Sequence, residues 1–510
     1  MRKVFLTITW AIIISGSIFL IINKIKTNYL SKNDSEITST KIVRNTLATT
    51  VTDNIDISTN IDPIENIDTQ TNITNSNKTA DYIAKVKEAD SLFEQKKYEE
   101  AIKLYEEALL IQNNSTETLK KLGISYMKIQ KYADSYSTFE KASEIAPKSN
   151  EIKLYLAKNL LNMNRNEEAK KIIWELPNTY LEAKYYQAIT LIIYEKELEA
   201  QSLFEEIVNT ENVSEELKTK SQIFLDQYII YNNYTEEGII FLKTILANAL
   251  VQNEEYELAI TELFEIITDQ SNYRDAWLIL GYSYLKTNQI QDAIDALNQA
   301  KELDPKKSET LFLLGLSYYL NDEYEKAIFY LEKAKTEGFS NKDLINIKLA
   351  EIYKIKEKYE KSAQIYEELL ANEIYTIEIF KNLSSIYLDE FNDISKTEKL
   401  ALKALELFPK NAETYYIIGK TNLYKKDIER AEEYLKEAIR LNPKYDESYL
   451  DLGKIYESKK EYLLAQEYYK LANFYSQNEE TSRKSTEAYN VINTLLSNKN
   501  YQVNLQNLWN

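Results

Sequence analysis

The sequence predicts an all-α solenoid of helix–turn–helix repeats, preceded by an N-terminal transmembrane helix. Three observations predict it. In residues 274–307, Trp277, Leu280, Gly281 and Tyr284 fall at helical spacing, and Ala293, Leu297 and Ala300 do so again ahead of Pro305. The same pattern returns at Leu311, Leu314, Gly315, Tyr318, Ala327, Leu331 and Ala334, each 34 residues on. A fixed period of this length marks stacked supersecondary units. Third, residues 4–22 form an uncharged apolar run long enough to cross the hydrocarbon core of a bilayer.

Composition narrows the function classes. With 8 Gly and 6 Pro in 510 residues, turn-formers are too scarce for an all-β chain. Five of the glycines (Gly123, Gly281, Gly315, Gly419, Gly453) share one repeat position, and four of the prolines (Pro147, Pro305, Pro409, Pro443) share another. Gly281 and Ala293 are small where the two helices of a repeat cross, so their axes can approach closely. The chain has neither Cys nor His. That excludes disulfides, thiol nucleophiles, imidazole bases and zinc sites of the usual ligand set. A net charge of −18 repels phosphate backbones and argues against nucleic acid as a partner.

In chain order, residues 1–30 read as a membrane anchor: Arg2 and Lys3 precede the apolar run, which passes directly into Asn23 and Lys24. A cleaved signal peptide is the alternative, but it calls for a shorter run ending at small residues. The short basic start places the soluble part outside the cytoplasm. Residues 31–80 read as a disordered polar tether, since one isolated Ile in every six residues cannot repay the entropy of ordering. A first array spans 81–213, with Ala89, Leu92, Tyr98, Ala101, Tyr105 and Ala108 opening it and Pro177 cutting its third repeat short. Residues 214–239 read as an irregular helical seam between sub-arrays. The second array spans 240–476 and carries one extra residue near Asp393. Residues 477–510 read as a tail with a capping helix, whose apolar stripe is Tyr489, Ile492, Leu495 and Leu496.

The spacing W-x2-LG-x2-Y…A…P resembles the tetratricopeptide repeat family over about three-quarters of the chain. The resemblance implies a right-handed superhelix whose concave face binds segments of other proteins. It also implies, in some members, a clamp of Lys, Asn and Arg for a C-terminal carboxylate. Lys120 stands at one clamp place, but Ile124 follows where the family has Asn. No Walker-type, G-x-G-x-x-G or G-x-S-x-G motif occurs, and no block of chain is left for a catalytic domain, so no enzyme activity and no cofactor are expected. Acidic pairs such as Glu99-Glu100, Glu167-Glu168 and Glu432-Glu433 read as solvated helix starts.

Of the 41 tyrosines, twelve stand at core positions of the repeats; the surplus suits protein interfaces. On the first helices, the positions left over by the helix-pair core are Leu278, Tyr282 and Leu285, then Phe312, Leu316 and Tyr319, with Tyr416 further along. The repeat after Tyr319 turns charged with Glu351 and Lys354, and Lys420 and Leu423 lie with Tyr416 further along. An exposed apolar strip of this kind marks a partner-binding surface, with Tyr282, Phe312 and Tyr319 as anchors. The same strip offers two alternatives: contacts between copies of the chain, or burial against neighbouring first helices.

Overall fold

The computed structural model of the chain describes residues 68–233, 238–476 and 479–498. Among them the secondary structure is α-helix throughout, interrupted by one π-helical turn at Ile386–Glu390, with no strand. The helices come in pairs of the expected period, such as Thr116–Lys128 with Tyr132–Ile145 and Arg274–Lys286 with Ile290–Leu303. Where the residue just before a first helix is Ser, Thr or Asn, its side chain caps the helix: Ser115 accepts from the Thr118 amide, Ser149 from Ile152 and Asn341 from Leu344.

Most pairs are joined by the same turn; after the π-helical turn the Asp393 amide instead reaches back six residues, to Tyr387. A residue in left-handed conformation follows the first helix, at Gln130, Asn164, Glu254, Asn288, Glu357, Lys426 and Lys460 among others. The next amide then reaches back five residues, as Lys131 does to the Tyr126 carbonyl and Asp427 to that of Asn422. This is the Schellman arrangement, with polar side chains standing where glycine is usual. The repeat glycines serve a different purpose. A Cβ on Gly281 would lie 2.5 Å from Leu297, and one on Gly453 would lie 2.5 Å from the Tyr469 ring. The small second-helix residues Ala293, Ala300, Ala431, Ala438, Ala465 and Ala472 are completely buried, as close helix packing demands.

The described residues form two compact units, one up to Asp322 and the other from Glu323. The sequence expects a seam at 214–239, whereas the division falls inside a repeat. Contacts between repeats on either side of 214–239 account for the difference. Gln130 donates to the Thr287 carbonyl at 3.0 Å, Tyr132 to Glu257, and Tyr186 to Glu255 at 2.5 Å. The helix Glu215–Asn233 is itself well seated: Phe224 stacks on Phe204 at 4.4 Å, and the Tyr228 hydroxyl donates to the Glu197 carbonyl at 2.6 Å.

At its start the first unit also departs from expectation. Its first helix runs over Asp68–Glu94, so residues 68–79 are helical where the sequence expects tether. Extending a helix costs far less than nucleating one, which lets the amphipathic stretch around Ala89 and Leu92 carry a polar extension. In the second unit, Glu479–Asn498 packs on Tyr462–Tyr475 and buries Ile492 completely, with Tyr489 and Leu496 beside it. Among the described residues no helix is long and apolar enough to cross a membrane. The expected anchor at 4–22, most of the expected tether, and Trp509 lie outside the described residues.

Candidate partner-binding face

In the first unit, the positions the sequence marks as an exposed strip are largely packed. Leu278 and Phe312 are each 1% exposed, Tyr282 is buried, and Leu285, Leu316 and Tyr319 are half-buried. First helices of successive repeats touch, Arg274–Lys286 against both Ile239–Gln252 and Ser308–Leu320, and each covers its neighbour's inner residues. The expectation of an exposed apolar patch is thereby corrected: close winding turns this strip into core.

Aromatic and charged side chains fill the same face further up. Lys158 lies over the rings of Tyr155 and Tyr186, at 5.4 and 4.9 Å, and burial pulls its ammonium below the usual lysine range. Burial likewise raises the Glu257 carboxyl, against the opposing bond from Tyr132. Lys120, the one residue at a clamp place, is engaged by Glu117 at 2.9 Å and Glu151 at 3.2 Å.

The second unit is built differently at the corresponding positions. Its first helices Lys342–Ile355, Ile377–Ser385, Ala412–Tyr424 and Asp446–Ser458 each contribute a charged residue to one place, Lys354, Lys381, Lys420 and Glu447. Between them lies a small recess of about 80 Å³, lined chiefly by Lys354, Lys381, Asn382, Ser384, Lys420 and Tyr416. Of the seven sequence-marked residues, Tyr416 alone lines it, with its ring buried 5.3 Å from that of Tyr445. The π-helical turn forms one border. It absorbs the extra residue noted near Asp393 and places Asp389 to accept from Lys420 at 2.8 Å, Tyr424 at 2.5 Å and Ser385 at 3.0 Å.

The ionisable groups around the recess form a graded set. Lys381 pairs with Glu447 at 2.7 Å and with Glu413 at 3.7 Å. Burial alone would lower the Lys381 ammonium, but the two carboxylates outweigh it and hold it above the usual lysine range. The nearer carboxylate, Glu447, is lowered despite its burial, whereas burial wins at the more distant Glu413 and raises it. Lys354 is held low by burial and by the neighbouring charges of Lys381 and Lys420. Its ammonium donates to Asn382 Oδ1 at 2.9 Å. Sequence reasoning marked Lys354 as the charged end of the strip and Lys420 as lying further along with Tyr416, and missed Lys381 and Asp389. Away from the recess, Glu432 sits a turn inside its helix, against the expectation of a helix start; burial would raise its carboxyl, but Lys436, Lys459 and Tyr456 hold it down to about 2.

Profiles described as TPR repeat or tetratricopeptide repeat match residues 89–130, 130–192, 245–308, 280–338, 412–445 and 446–473, together about half of the chain. Similar curated proteins include anaphase-promoting complex subunit 3 of Schizosaccharomyces pombe, 25% identical over 48% of this chain and 33% of that protein. The TPR repeat-containing protein YpiA of Bacillus subtilis is 24% identical over 48% of this chain and 60% of its own length. This chain therefore spans less than two thirds of either relative. Among solved structures, yeast Tom70 is 16% identical, with 82% of this chain and 97% of that chain covered at a TM-score of 0.39. On its recurring period and these profile matches, the chain belongs to the tetratricopeptide repeat family.

Proposed function

We propose that this chain is a non-catalytic scaffold, tethered to a membrane, that holds segments of partner proteins against the first-helix face of its second unit. The observation that carries the reading is the recess lined by Lys354, Lys381, Lys420 and Tyr416. The face offers buried aromatic area beside charged donors, the combination that recurs at protein interfaces. In the first unit the equivalent positions are spent on the chain's own packing. The absence of cysteine, histidine and the common catalytic motifs from the sequence supports a binding role over an enzymatic one.

The test is a photo-crosslinking residue placed at Asn382, with Phe329, an exposed second-helix position, as the control. Adducts to a discrete set of proteins from Asn382 alone, abolished by Lys381→Glu in the same chain, are the expected outcome. Equal labelling from both positions would sink the proposal. The tether rests on the uncharged run at 4–22, read as an uncleaved anchor with the soluble part outside the cytoplasm. Retention in membranes after a high-salt wash, with an intact mass that includes Met1 or Arg2, is expected; loss of that segment from the mature protein overturns the anchor.

A further inference from the structure

We infer that the first unit is a clasp: its early and late repeats close on each other through hydrogen bonds that part without unfolding either side, and the closed form withholds the face of Tyr155, Lys158 and Tyr186 from partners. The scaffold reading concerns the second unit, and the clasp does not depend on it. Two separate observations carry the inference. The first is where the closing bonds lie. Gln130 and Thr287 are 157 residues apart, Tyr132 and Glu257 are 125 apart, and Tyr186 and Glu255 are 69 apart. All of these residues except Tyr186 stand in or beside a turn that joins the two helices of a repeat. A helical solenoid is held together by the contacts of each repeat with its immediate neighbours. Bonds between repeats this distant are additional to that stack. Breaking them leaves every helix pair intact, and small rotations spread over the intervening repeats are enough to part the edges.

The second observation is what the closed form costs. Tyr186 serves both sides of it: its hydroxyl donates to Glu255 at 2.5 Å, and its ring carries the Lys158 ammonium at 4.9 Å. Among the described residues no carboxylate lies within ion-pair distance of that ammonium; Tyr155, at 5.4 Å, is its other neighbour. Burial opposes its charge, Lys220 and Lys128 add to the opposition, and Glu255 and Glu216 offset only part of it. Across the closure, burial also opposes the charge of Glu257, the acceptor for Tyr132. Keeping a cation and a carboxylate from water is costly. Each closing hydrogen bond returns only a modest net gain, because water replaces it on opening. The two arrangements therefore lie close in free energy, which is the condition for a switch.

The test is double electron–electron resonance on the full chain, with spin labels at Ala133→Cys and Gln291→Cys, two exposed positions on either side of the closure. The chain has no cysteine of its own, so the labels attach nowhere else. Ala133→Cys with Lys171→Cys, on neighbouring repeats, is the control. Adding Tyr132→Phe and Tyr186→Phe should raise the open-to-closed ratio about 25-fold, about fivefold for each lost hydrogen bond. It should appear as a longer distance across the closure, at unchanged helix content and unchanged control distance. Lys158→Met keeps an apolar stem on the rings and removes the charge, so it should abolish the longer-distance population. Three results overturn the inference: an unchanged distance in the double Phe variant, a lengthening that comes with loss of helix or of the control distance, or a shift toward the open form in Lys158→Met.

Discussion

The first helices of the two units occupy the same place in the same repeat and yet do opposite things with it. In the first unit the inner positions carry Leu278, Tyr282 and Phe312, and the chain winds closely enough to bury them. Repeats far apart in sequence then touch, through Tyr132 with Glu257 and Tyr186 with Glu255. In the second unit the inner positions carry Lys354, Lys381, Lys420 and Glu447, which must keep water or a partner within reach, and a recess remains. The difference teaches that a repeat's inner face is a choice made by side-chain polarity under a fixed backbone period. Apolar residues there draw neighbouring turns together, and charged residues hold a groove open.

The largest expected effect tests the closed side of this contrast. Phe312→Ala should cost about 3–5 kcal/mol, because it empties a fully buried aromatic site. Chemical unfolding followed by circular dichroism would measure it. A loss below about 1 kcal/mol would mean that Phe312 is accessible and that the first unit is as open as the second.

The fold was legible in the sequence because period and residue size repeat together. Gly281 faces Leu297 and Gly453 faces Tyr469, so the small-residue positions could be read directly as helix crossings. The turn chemistry was not legible, since Gln130, Glu254 and Lys426 give no sign that they adopt left-handed conformations. The expected strip failed for a related reason. A period locates the inner face of a helix but does not say how tightly the next repeat closes on it, so Phe312 reads the same as anchor or as core. At the recess, Tyr416, Lys354 and Lys420 stand at readable positions. Asp389, however, depends on the register shift of a π-helical turn, which the sequence shows only as one extra residue near Asp393.

A second prediction uses pH. Burial raises the Glu262 carboxyl to about 8, with Glu265, Glu197 and Glu195 adding to it and Lys243 opposing. An unfolded glutamate titrates near ~4.3, so between these values the folded chain holds a proton that the unfolded chain has released. Stability of the first unit should therefore fall as pH rises from about 4.5 to 8. Glu262→Gln removes this dependence: it should leave stability nearly unchanged at the acidic end and raise it by about 1–3 kcal/mol above the folded value. A thermal melt of both chains at the two ends of this range would decide, and parallel pH profiles would show Glu262 to be hydrated.

The contacts that close the first unit make a smaller and more local claim. Tyr132→Phe deletes the hydroxyl donor to Glu257 and should cost about 1 kcal/mol. Amide exchange should quicken in Asn150–Asn162 and Tyr256–Asp269, the two helices that meet at this closure, and stay unchanged from Glu323 onward. Uniform acceleration along the chain would mean that the contact serves general stability, with no part in keeping one face shut.

The smallest effect separates the turns from the faces they connect. Lys426 and Glu254 both stand in left-handed conformation, with φ of 62° and 66°. Each precedes an amide that reaches back five residues, Asp427 to Asn422 at 3.0 Å and Glu255 to Leu250 at 2.9 Å. Glycine adopts this conformation without the steric cost of a Cβ, so Lys426→Gly should gain about 0.5–1 kcal/mol. The gain at Glu254 should be smaller. Its charge lies close enough to Tyr256 and Tyr282 to raise both hydroxyls further after burial has done so, and the next residue, Glu255, accepts the Tyr186 bond that helps close the first unit. Loosening that backbone with glycine surrenders part of the closure as it relieves the turn. Paired melts of Lys426→Gly and Glu254→Gly would therefore read the contrast between the units at its finest scale. Equal gains would show that the closed face of the first unit does not depend on the stiffness of the turn beneath it.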